Sequence, residues 1–213
     1  MIRILVVLLT VGAIDAAACI HCAYTASILG ANAIAGNVFL PATAGEKFVK
    51  SKSATAVYQL KNSTFYMDPK QWTALKDSVP NPAIDHQFEH ADGNMRGMLL
   101  SFKEFMPMDE FIEGFLNGMK EDAPNSKVVE RRNVTVNGMP MVEIVIELPT
   151  PNATIMYYGY IYSGSKGVCV ALGMCQRELY TEVKPTLGAF AAGLVVESAV
   201  KPTSNSSSSK KKK

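Results

Sequence analysis

The chain is poor in the residues that most enzymatic reactions use. It has three histidines, four cysteines and one tryptophan in 213 residues. With His21 near the N-terminus, His86 and His90 are the histidines left to serve as bases in a folded domain. No Gly-x-Ser-x-Gly elbow occurs, and Gly164–Ser165–Lys166–Gly167 lies in a turn with no helix directly after it. An acyl-transfer site and a phosphate cradle therefore both lack their parts. Charge of one sign is missing as well. Setting aside Arg3, Asp15 and the tail lysines leaves 15 basic against 18 acidic residues between Cys19 and Val200. Without a positive field the composition counts against a nucleic-acid partner. The apolar run Ile4–Ala13 is also shorter than the roughly 20 residues of a membrane-spanning helix.

What is present suits one packed domain. Hydrophobic residues make up 48% and charged residues 19%, enough to build a core in a chain of single-domain length. Arg3, the apolar run and Ala16–Ala17–Ala18 have the layout of a secretory signal peptide over residues 1–18. Export to the periplasm, cell envelope or secreted fraction follows. Ala17–Ala18–Cys19 also resembles the end of a lipoprotein box, which makes Cys19 a lipidation candidate. Ala16 replaces the usual leucine of that box, so simple cleavage after Ala18 is the favoured reading. Residues 19–55, rich in Ala, Gly and Asn through Gly45, read as a flexible linker. An oxidising compartment permits a local disulfide between Cys19 and Cys22. Cys169 and Cys175 bracket an expected strand, about 20 Å apart if extended, and Cys169 is expected to be a small buried hydrophobe.

Residues 56–200 carry the periodic pattern. Ala56–Leu60 and Thr64–Met67 read as paired strands, and Asp68–Pro69 can cap a short helix through Lys76. Ala83–Glu89 and Arg96–Phe105 flank a turn at 91–94. Phe111, Ile112, Phe115, Leu116 and Met119 recur at helical spacing and predict a helix over Met108–Glu121. Val128–Val136 and Met141–Leu148 flank Asn137–Gly138, a favoured hairpin turn. Strands at Ile155–Tyr162 and Val168–Met174 follow, then a helix over Glu178–Val195. The sum is an α+β fold, an antiparallel β-sheet meander flanked by helices. Residues 201–213 form a Ser/Lys tail of disordered composition. Its Lys210–Lys213 run offers a weak grip on an anionic membrane surface.

Phe65, Pro69 and Trp72, the acidic helix Asp109–Lys120, and "VTVNGMPMVEIVIE" (Val134–Glu147) stand in a familiar order. With the aromatic strand Tyr157–Tyr162, the strand Val168–Leu172 and a closing helix, the chain resembles the PsbP-like superfamily from about Val57 to Val196. That superfamily includes photosystem accessory proteins of the thylakoid lumen and DcrB-type envelope lipoproteins. The resemblance implies a curved antiparallel sheet in an α/β/α sandwich and a non-enzymatic accessory or binding role. It carries over no catalytic residue. Gln71 departs from the usual Pro-x-Gly-Trp pattern.

Three candidate sites remain. His86 and His90 form a metal-like pair, close together on a helix but about 13 Å apart on a strand. The strand reading is preferred, and a metal-dependent hydrolase around them is disfavoured. Tyr158, Tyr160 and Tyr162 share one strand face while Tyr157 points the other way. They fit either packing beneath a helix, the preferred reading, or an interaction surface. Asn62, Asn133, Asn152 and Asn205 sit in sequons that matter only in a eukaryotic host. The expected function is therefore that of an exported accessory protein acting through an unidentified protein partner. No catalytic residue, cofactor or metal is assigned. The alternative is a carrier of a small apolar ligand or lipid, using the Met-rich helix region at Met106, Met108 and Met119.

Overall fold

The computed structural model describes residues 46–75 and 83–197, together with the backbone of 3–8 and 20–25. The cleavage point after Ala18, Cys19, the Cys22 side chain and the Lys210–Lys213 tail lie outside the described residues. The strands are β1 (Arg3–Leu8), β2 (Ile20–Thr25), β3 (Lys47–Phe48), β4 (Ala56–Gln59), β5 (Thr64–Met67), β6 (Trp72–Ala74), β7 (His86–His90) and β8 (Met95–Phe102). After helix α1 (Met108–Asp122) come β9 (Lys127–Val136), β10 (Met139–Pro149), β11 (Thr154–Gly164) and β12 (Gly167–Gln176). Helix α2 (Arg177–Ala191) and β13 (Leu194–Val195) complete the order. β1 and β2 pair antiparallel, Arg3 opposite Thr25.

An eight-stranded sheet runs in the order β3-β9-β10-β11-β12-β8-β7-β6. β3 joins it parallel and the other neighbours pair antiparallel. A three-stranded sheet, β13-β5-β4, lies apart from it. α1 presses Phe111, Ile112, Phe115 and Met119 against Ile144, Ile146, Val170 and Leu172 on one face. α2 and the small sheet cover the other, where Leu187, Phe190 and Phe65 meet Tyr160, Cys169 and Ala171. Burial on both faces explains why β10–β12 read as nearly continuous apolar runs. Each large side chain so covered contributes about 1.5–3 kcal/mol. The α+β meander between helical layers is the architecture expected from the pattern.

Three local expectations are corrected. Asp68 starts no helix. Its Oδ1 accepts from Lys70 N–H at 2.9 Å and its carbonyl from Gln71 and Trp72 N–H, closing one tight turn. Trp72, 3% exposed, then enters the core in β6 opposite His90. Burying the indole outweighs the capping signal. The last helix stops at Ala191 rather than Val195, and Leu194 pairs with Phe65 instead. Gly193 allows this close approach, because a Cβ there would lie 2.0 Å from the Tyr66 carbonyl oxygen. The final ten residues of the expected linker are also built in. Phe48 meets the Tyr160 ring at 5.3 Å and Ala54 is buried.

Candidate functional site

β9, β10 and β11 place three polar side chains in a row across the sheet. Arg132 stands opposite Glu143, and Glu143 opposite Tyr160. Strand periodicity adds Tyr158 two residues away on the same face. Glu143 is 1% exposed, a position where an unpaired carboxylate is prohibitive. Arg132 satisfies it with two bonds, Nε to Oε1 at 2.7 Å and Nη2 to Oε2 at 2.9 Å. Tyr158 donates to Oε2 at 2.9 Å, and the Tyr158 and Tyr160 hydroxyls lie 3.2 Å apart. Arg132 Nη1 reaches out to Glu46 Oε2 at 2.7 Å.

This network floors a cleft of about 350 Å³ between the β3 segment and α2, walled by Phe48, Val49, Pro185 and Ala189. Lys184 closes one side, donating to Glu130 Oε2 at 3.1 Å with its ammonium 5.5 Å above the Tyr158 ring. Pro185 lies inside α2, which continues past it to Ala191. It has no N–H to give the Thr181 carbonyl, and both residues line the cleft.

Charges are set by these contacts. The Glu143 hydrogen bond holds the Arg132 guanidinium above its ordinary range, against a smaller opposing effect of burial. Burial, then the Tyr160 hydroxyl and Glu143, raises the Tyr158 phenol well beyond the usual tyrosine value. Burial pushes Tyr160 up to about 12. For Lys184 burial pulls downward, but Glu130 and Tyr180 together raise it. Glu143 is chelated, both phenols stay neutral at physiological pH, and Arg132 is shared between two carboxylates. Such a floor is suited to holding shape and charge rather than to moving protons.

The sequence candidates are distributed as follows. Tyr158, Tyr160 and Tyr162 do share a face, opposite to Tyr157, but they are 3%, 0% and 5% exposed. They form core beneath α2 rather than an exposed strip, because that face of β11 must be covered. Tyr158 alone among them lines the cleft. His86 and His90 lie at opposite ends of β7 with the fully buried Phe88 between them. His86 packs edge-on to Tyr58, and His90 packs against Trp72 with Nδ1 2.8 Å from Asp92 Oδ1. Among the described residues no group of three His, Cys, Asp or Glu side chains converges as a metal would need. Cys169 and Cys175 are free and buried. Burial pushes their thiols up to about 11 and about 12.

Two features escaped the sequence reading. Glu143 stands inside the apolar run of β10, a carboxylate where both faces are covered, and that was its signal. Asn62 gave none beyond its turn. Its Nδ2 donates to the carbonyls of Phe102 at 2.8 Å and Lys166 at 2.7 Å, while its Oδ1 accepts from Cys169 Sγ at 2.9 Å.

Among solved structures the chain is similar to cyanobacterial PsbP (CyanoP) from Synechocystis sp. PCC 6803. The two share 9% identity with a TM-score of 0.49 over 69% of this chain and 95% of that one. Neither number brings a site with it. A protein of unknown function from Pseudomonas aeruginosa, PA94, is similar over 62% of this chain and 89% of its own, with 11% identity and a TM-score of 0.38. No protein-family profile and no curated protein matches the chain.

Proposed function

We propose that the chain is an exported, non-enzymatic accessory protein that works by binding a protein partner. The observation that carries this reading is the cleft floor. Its ionisable groups are tied to one another, Arg132 to Glu143 and Glu46, Tyr158 to Glu143, and Lys184 to Glu130. Catalysis needs a group held ready, and this floor holds none ready. The rim is different. Val49 is 75% exposed beside the cleft, and an exposed apolar side chain over a fixed polar base suits contact with another surface. Export is supported by the leader-like residues 1–18.

Native mass spectrometry of the chain isolated gently from its own cells tests this reading. The expected result is a complex of defined stoichiometry with another polypeptide. A chain that carries lipid-sized adducts and no polypeptide would replace the reading with that of an apolar-ligand carrier.

A further inference from the structure

Strand register sets three sulfur-bearing side chains side by side on the α2 face of the large sheet. Cys175 of β12 stands opposite Met95 of β8 on one side and opposite Met156 of β11 on the other. Directly opposed residues share a face, with Cβ atoms about 4.5–5.5 Å apart. The Cys175 thiol is therefore flanked by a thioether on each side. All three residues are buried in the apolar cluster that α2 and the small sheet cover. They also lie near strand ends. Met95 opens β8, Met156 is the third residue of β11, and Cys175 is the last but one of β12.

The chemistry of this row is soft. Cys169 gives its thiol to Asn62 Oδ1 at 2.9 Å, whereas among the described residues the buried Cys175 thiol has no hydrogen-bond partner. Next along the row, opposite Met156, is Glu147. Its carboxylate is already paired, with Lys127 at 3.4 Å and Arg177 at 3.2 Å. Glu178, whose charge acts on Cys175, is exposed on the first turn of α2. Sulfur is what the buried row offers, and thiolate with thioether is the ligand set that suits Cu(I). Zinc would want a fourth ligand.

We propose that Met95, Cys175 and Met156 bind one Cu(I) ion through their three sulfur atoms. On binding, the Cys175 S–H bond breaks, its proton leaves to solvent, and an S–Cu bond takes its place. The thiolate and the monovalent ion then cancel, so the apolar cluster holds no net charge. A divalent ion would leave one positive charge buried and uncompensated, at a large desolvation cost. Thioethers on three rotatable bonds can swing toward an ion seated over Cys175. Entry needs only a local opening of the strand ends and the first turn of α2. The site is separate from the Tyr158 cleft, and its occupation is independent of any protein partner.

The test uses the full chain carrying Cys19→Ser and Cys22→Ser, so that the N-terminal thiols do not compete for metal. It is titrated without oxygen, with acetonitrile-stabilised Cu(I) against the chelator bicinchoninate. One bound equivalent is expected. Met95→Leu and Met156→Leu keep the core volume, so the metal-free variants should fold with little change in Tm. Each should weaken binding at least tenfold, since even outer partners of metal ligands count for about 10–100-fold. Cys175→Ser should weaken it further. Met98→Leu, on the opposite face of β8, should bind as the parent does. Should Cys175→Ser fail to fold, X-ray absorption at the copper edge of the loaded parent decides, with a shell of sulfur neighbours expected. Absent stoichiometric binding, undiminished binding by either leucine variant or by Cys175→Ser, or a copper shell of nitrogen or oxygen each overturns the proposal. The row would then be core packing by flexible side chains and nothing more.

Discussion

Asn137 shows how much one side chain can hold together. Its backbone sits at φ 50° in the β9–β10 turn, before Gly138 at φ 82°. Its Nδ2 donates to the carbonyls of Ala192 and Leu194, both at 2.8 Å, and its Oδ1 accepts from Lys50 N–H at 2.8 Å. The hairpin, the β3 exit and the turn after α2 thus meet on one amide. Asn137→Ala loses three hydrogen bonds at about 1 kcal/mol each and forces a Cβ-bearing residue without that support into left-handed backbone, about 1 kcal/mol more. A loss of about 3–5 kcal/mol is expected in urea denaturation. Asn137→Gly keeps the backbone freedom and should lose about 1 kcal/mol less. Tyr158 and Tyr160 make a second residue-scale prediction. Their phenols are raised in the folded state above the unfolded value near 10. Their contribution is full below pH 10 and declines as pH rises above it, that of Tyr160 being lost by about 12 and that of Tyr158 later, because the unfolded chain releases those protons first. Tyr160 alone is worth on the order of 2 kcal/mol over that window. Absorbance titration should show both phenols ionising late, and denaturation midpoints should fall between pH 10 and 12. Midpoints that stay level there would contradict the buried network.

At the scale of elements, legibility followed the range of the forces involved. α1 was readable because its stripe of Phe111, Phe115 and Met119 repeats at helical spacing and the same stripe is buried. The turn at Asn137–Gly138 was readable because a two-residue hairpin demands positive φ at both positions. The side-chain role of Asn137 was not, since its partners lie 55, 57 and 87 residues away. Asp68–Pro69 misled for a related reason. Local capping chemistry pointed to a helix, while the gain from burying Trp72 against Phe190, with ring centroids 4.3 Å apart, settled on a strand. The cleft follows the same rule. Arg132, Glu143 and Tyr160 become neighbours only through strand register, and Glu46 and Lys184 arrive from opposite ends of the domain. Sequence could flag Glu143 as a carboxylate in apolar company but could not supply its partners.

At the scale of the whole molecule, side chains are described from Glu46 to Glu197, apart from residues 76–82. Intact mass of the chain from its own cells is expected to match cleavage after Ala18 with an unmodified Cys19. A diacylglyceryl increment on Cys19 would instead make it a lipoprotein. α2 and β13 lie C-terminal to every strand of the eight-stranded sheet, whereas α1 precedes four of them. A chain emerging N-terminus first can therefore lay β9–β12 onto a helix that already exists, but the part of the opposite face that α2 covers must wait. Phe65, Trp72 and Phe88 all pack on Phe190 of that helix, and they lack its cover until the last fifteen-residue helix is synthesised. During that interval the nascent sheet is a sticky half-product. Release from whatever shields it is timed by the arrival of a single late segment.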